Sequence, residues 1–113
     1  MIKIYHNPRC SKSRQGLELL ENSGKEFEIV RYLEHIPTKD ELITIIKKLQ
    51  IQPIALVRKT EAIWKEHYKG KELSDSEIID AMLQNPKLIE RPIVVNNTKA
   101  AIGRPLENIE NII

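Results

Sequence analysis

The first third of the chain constrains the fold most. Ile2-Lys3-Ile4-Tyr5 alternates apolar and polar residues, as a strand with one buried face does, and runs into the breaker cluster His6-Asn7-Pro8. From Ser11 onward Leu17, Leu19 and Leu20 suit an amphipathic helix, and Asn22-Ser23-Gly24 supplies its stop, with glycine free to take the left-handed cap. Phe27 to Tyr32 reads as a second strand. A helix joining two strands carries the chain back to the starting edge, so the strands lie parallel and the crossover is right-handed. The order also puts Cys10 at the N-terminus of the helix.

The remaining elements extend that unit. Thr38 with Glu41 forms a capping-box pair ahead of Leu42, Ile45, Ile46 and Leu49, and Ser74 with Glu77 repeats it ahead of Ile78, Ile79, Met82 and Leu83. Between them, Pro53 to Tyr68 holds one or two shorter helices without clear caps. Ile93-Val94-Val95 is a short apolar strand, Asn96-Asn97 a turn, and Lys99 to Ile102 the partner strand of a hairpin. Pro105 suits the first position of a terminal helix carrying Leu106, Ile109, Ile112 and Ile113. The order βαβ, helical insertion, ββα predicts a thioredoxin-like α/β fold, with helices on both faces of a four-stranded mixed sheet. One domain is expected over residues 1–113, with the insertion at about 38–86.

Charge balance narrows the function. With 18 Lys and Arg against 16 Asp and Glu, the net charge is +2, too small a field to call for nucleic acid or a membrane surface. No leader-like segment or long apolar run follows Met1, so the expected location is the cytoplasm. A lone cysteine there is either inert filler or a working thiol, since it has no intramolecular partner. A metal site is not expected, because His6, His35 and His67 have no ligand spacing with Cys10. A monomer is the default expectation.

Cys10 has the surroundings of a nucleophile. A thiol reacts as its thiolate, which a helix N-terminus stabilises through unsatisfied backbone N–H groups and the helix dipole. Arg9, Lys12 and Arg14 crowd the same loop, and the hydroxyls of Ser11 and Ser13 could donate to the sulfur. His6 could pair with the thiolate as imidazolium or only orient the loop. The alternative, a buried small hydrophobe, fits poorly with polar neighbours on both sides. A dithiol oxidoreductase needs a second cysteine where Ser13 stands, and a phosphatase-type loop needs arginine where Gly16 stands. The resolving thiol must therefore come from outside the chain.

The run from His6 to Arg14, together with Arg91-Pro92-Ile93-Val94-Val95 and Gly103-Arg104-Pro105, resembles the glutaredoxin-coupled arsenate reductase family. Tyr32-Leu33-Glu34, Leu56-Val57-Arg58-Lys59 and Met82-Leu83-Gln84-Asn85-Pro86 extend the likeness along nearly the whole chain. The resemblance implies that Cys10 attacks arsenate or a similar oxyanion and that Arg58, Arg91 and Arg104 hold it. It also implies a cis bond between Arg91 and Pro92, and supporting roles are expected for His6, Asn7, Ser11, Ser13 and Pro92. No bound cofactor is implied. Glutathione would be co-substrate, attacking the thiol-bound arsenate adduct, and glutaredoxin would clear the mixed disulfide as arsenite leaves, a reaction of arsenic detoxification. Guanidinium forks suit this task independently, giving charge-assisted and often bidentate hydrogen bonds to a tetrahedral oxyanion. The chain differs from the best-known members, which carry glycine and threonine after the cysteine, in having Ser11 and Lys12.

Two other functions stay open at this point. A monothiol glutathione-dependent protein could exchange disulfides without handling arsenate. Spx-type polymerase-binding regulators share the fold, although they typically carry a Cys-x-x-Cys switch that Ser13 removes here.

Overall fold

The computed structural model describes residues 1–113, which form two compact units: Met1–His35 with Arg91–Ile113, and Ile36–Glu90. In the first unit, β1 (Ile2–Tyr5), α1 (Ser11–Ser23) and β2 (Phe27–Val30) make the parallel βαβ unit, and β3 (Ile93–Asn96) and β4 (Lys99–Ile102) make an antiparallel hairpin. Sheet order is β2-β1-β3-β4, with β3 antiparallel to β1. This mixed four-stranded sheet has the thioredoxin-like order expected of the sequence.

Periodicity decides which side chains meet. Ile2 and Ile4 point to one face of β1, and Val94 stands opposite Ile4 in the register, so all three share that face. Leu20 of α1 and Ile109 of α5 (Glu107–Glu110) join them in one buried cluster, with Leu17, Leu19, Phe27, Leu106, Ile112 and Ile113 packed around it. Two glycines let the backbone close on this layer. A Cβ on Gly16 would stand 2.9 Å from Pro92 Cγ, and one on Gly103 would stand 2.8 Å from the same atom and from Ile109 Cδ1. α1 ends as its sequence predicts, on Gly24 at φ 73°.

Three boundaries differ from the sequence reading. β2 stops at Val30 rather than Tyr32, because the Arg31 carbonyl accepts the N–H groups of Glu34 and His35 at 3.0 and 2.9 Å and turns the chain. Asn96 pairs with Lys99, so the hairpin turn is Asn97-Thr98, with Asn97 at φ 56°, a conformation asparagine tolerates. The terminal helix begins at Glu107, not at Pro105, whose carbonyl instead accepts the Asn108 N–H in a preceding turn.

The second unit is helical. It contains α2 (Lys39–Leu49), a 3-10 turn (Pro53–Leu56), α3 (Ala62–His67), α4 (Asp75–Gln84) and a second 3-10 turn (Pro86–Leu88). Both capping boxes form: Thr38 and Ser74 accept from the backbones of Glu41 and Glu77, whose carboxylates return to the cap N–H groups. Asp40, Glu41, Asp75 and Glu77 also put negative charge on the first turns of these helices. Lys39 bridges to Asp80 at 3.0 Å and to Ser76 at 2.8 Å. No helix is long and apolar enough to cross a membrane.

Candidate active site

Cys10 is the N-cap residue of α1, extended at φ -96° and ψ 123°, and its own side chain makes no capping hydrogen bond. A serine or aspartate here would fold back to satisfy the first N–H groups. The sulfur instead meets the helix end as a prospective anion. The loop before it is fixed by short-range bonds: the Cys10 N–H donates to the Asn7 carbonyl at 3.0 Å, the Arg9 N–H to Asn7 Oδ1 at 3.0 Å, and Arg14 Nη1 to the Pro8 carbonyl at 2.9 Å.

Partial burial by itself would raise the Cys10 thiol pKa. The Ser13 backbone N–H, the Arg91 guanidinium and the Lys12 backbone N–H outweigh it, and the thiol lies below its ordinary value. Arg104 adds a second guanidinium, its Nη2 3.5 Å from Cys10 Sγ, while its Nε donates to the Arg91 carbonyl at 2.8 Å. Asn108 Nδ2 donates to the Arg104 carbonyl at 3.3 Å and steadies the turn that carries it. The fold thus brings Cys10, Arg91 and Arg104 together although at least 80 residues separate the cysteine from either arginine.

His6 and Ser13 form the layer beneath. Ser13 is fully buried; its Oγ accepts the Asn7 N–H at 3.0 Å and lies 2.7 Å from His6 Nδ1. The Ser13 hydroxyl is therefore turned to His6 and not to the sulfur. Burial lowers the His6 pKa, Arg31 and Arg14 push the same way, and the Ser13 contact offsets only part. These shifts favour the neutral imidazole, and its contact with buried Ser13 fits a group that orients the loop. Ser11, exposed, is the first helical residue. The Arg91–Pro92 bond is cis, as the resemblance implies, with Pro92 buried beside Gly16 and Gly103.

Some features lay outside the sequence reading. The Arg104–Pro105 bond is also cis, and the contacts of Gly16 and Gly103 with Pro92 had no local signal. Arg58 belongs to the second unit, where Nη1 lies 3.3 Å from Glu90 Oε1 and Nε 3.6 Å from Glu61 Oε1. Glu61, three residues on, was legible as a partner; Glu90 was not. No group of three or more His, Cys, Asp or Glu side chains that could hold a metal gathers anywhere.

The family model described as the ArsC family matches residues 5–112. An uncharacterised Escherichia coli protein, YfgD, is 47% identical over 99% of this chain and 96% of its own length. An arsenate reductase of Neisseria meningitidis is 45% identical over 99% of this chain and 97% of its own. The solved arsenate reductase of Vibrio cholerae superposes with a TM-score of 0.94 at 45% identity, covering 99% of this chain and 97% of that one.

Proposed function

This chain belongs to the ArsC family, and on that premise we propose that it is an arsenate reductase in which the Cys10 thiolate attacks arsenic and an external thiol resolves the adduct. The carrying observation is the convergence of Arg91, Arg104 and the open end of α1 on a single sulfur. These groups serve two stages in turn. Before the attack they favour the anionic form of Cys10. During it they are charged donors beside the sulfur, where the oxygens of an incoming tetrahedral oxyanion must come to rest.

The electron count sets what else is required. The Cys10 thiolate displaces hydroxide from arsenate and forms a sulfur–arsenic(V) bond. An external thiolate then attacks the Cys10 sulfur; the sulfur–arsenic electron pair passes to arsenic, which leaves as arsenite, and a mixed disulfide remains. Two sulfurs are oxidised and arsenic gains two electrons. The chain has one cysteine, so the second sulfur cannot be its own. Glutathione as that thiol, and glutaredoxin as the protein that clears the disulfide, are the partners this reading takes from the family resemblance. Arg58 is the third oxyanion donor on the same ground, although two carboxylates already engage it.

Arsenate-dependent NADPH consumption with glutathione, glutaredoxin and glutathione reductase tests the reading. Turnover is expected for the wild type and background rates for Cys10→Ser. Absence of turnover from folded, reduced wild-type protein would overturn the substrate and leave a monothiol exchange protein.

A further inference from the structure

Each arginine around Cys10 has a visible task except one. Arg14 holds the Pro8 carbonyl, Arg91 and Arg104 address the sulfur, and Arg31 acts on His6. Arg9 makes a hydrogen bond only through its backbone, and its guanidinium is exposed. Lys12, two residues beyond the cysteine, is likewise exposed and makes no ion pair. Its backbone N–H acts on the Cys10 thiol, but neither its ammonium nor the Arg9 guanidinium is among the groups that shift that thiol. The first turn of α1 holds no carboxylate that could neutralise them. Two exposed cations without acidic partners therefore stand one residue before and two residues after Cys10 in the chain, on the loop and on the first turn of α1.

We propose that Arg9 and Lys12 dock the carboxylates of the incoming thiol, and so select an anionic thiol co-substrate over a neutral or cationic one. This rests on the reading of Cys10 as a thiolate resolved from outside, and extends it from the reaction to the choice of reductant. A small thiol must bring its sulfur to Cys10 while groups that do not react hold it there. Arg91 and Arg104 are committed to the sulfur and the oxyanion. The remaining flanking charges can complement a molecule that carries its own carboxylates, and would repel an amine.

The test needs no arsenate. In the exchange Cys10–S⁻ + R–S–S–R → Cys10–S–S–R + R–S⁻, one disulfide bond breaks, one forms and a thiolate leaves, with no other oxidant. Its rate is to be followed by intact-protein mass spectrometry with oxidised glutathione (anionic), hydroxyethyl disulfide (neutral) and cystamine (cationic). Proteins compared are the wild type, Arg9→Ala, Lys12→Ala and the double charge reversal Arg9→Glu/Lys12→Glu. Every rate is divided by that with neutral iodoacetamide, which removes any change in the thiolate itself.

Each alanine is expected to slow oxidised glutathione about two- to fivefold, the worth of one exposed charge contact. The double reversal should slow it about tenfold or more, speed cystamine, and leave hydroxyethyl disulfide within about twofold. An unchanged ranking of the three disulfides in the double reversal would overturn the proposal and assign any selection to Arg91 and Arg104. A Cys10 inert to iodoacetamide and to all three disulfides would overturn the thiolate reading beneath it. Failure of arsenate turnover with the expected ranking intact would remove the oxyanion alone.

Discussion

α1 of the first unit begins in the opposite way from α2 and α4 of the second. α2 and α4 start on capping boxes, with Asp40, Glu41, Asp75 and Glu77 in their first turns, so their free N–H groups and positive dipole ends are answered by the chain itself. α1 starts on Cys10, with no side-chain cap and no acid in its first turn. Cations follow the same division. Lys39 and Arg58 sit against Asp80, Glu61 and Glu90, whereas Arg9 and Lys12 face solvent without carboxylates. A helix start that satisfies itself contributes to stability, and one left unsatisfied can be satisfied by a thiolate or a ligand.

The largest test of this contrast sets an arginine at the sulfur against one bound by acids. Arg91→Ala and Arg104→Ala are each expected to cut arsenate kcat/KM by about 10²- to 10³-fold, the usual cost of losing one preorganised charge-stabilising donor. Arg58→Ala should cost less in the same coupled assay, because its charge is already shared with Glu61 and Glu90. An equal loss at all three positions would remove the distinction.

Next come the caps. Thr38→Ala and Ser74→Ala should each lower unfolding free energy by about 1 kcal/mol, measured by urea denaturation, with no change in Cys10 alkylation. The smallest effect closes the open end of α1. Ser11→Glu places a carboxylate in its first turn and should add about 0.3–1 kcal/mol of stability. The same substitution should raise the pH midpoint of iodoacetamide alkylation, which in the wild type is expected below that of an ordinary thiol. The sign for stability follows. A thiol whose folded pKa is depressed stabilises the fold fully above the unfolded value, and loses that contribution as pH falls through the folded one. Ser11→Glu should narrow this window.

Local signals made some of this visible in the sequence and hid the rest. The alternation of Ile2 to Tyr5, the leucines of α1, Gly24 and both capping boxes act over a few residues, and the corresponding elements stand as read. Cys10 at a helix start was legible for the same reason. The end of β2 and the start of α5 were not, because turns centred on the Arg31 and Pro105 carbonyls decide them. The direction of the Ser13 hydroxyl was hidden too, since it depends on the buried His6 ring seven residues back. That Arg104 crosses the Arg91 carbonyl to reach the sulfur is a product of the β3–β4 pairing, which no spacing in the sequence records.

Two guanidinium groups meeting one sulfur also determine how the protein behaves in an ordinary solution. A place shaped by charge for a tetrahedral oxyanion does not distinguish strongly among phosphate, sulfate and arsenate by charge alone. The apparent affinity of the proposed site for its substrate therefore depends on the medium, and rises as phosphate is removed from the buffer.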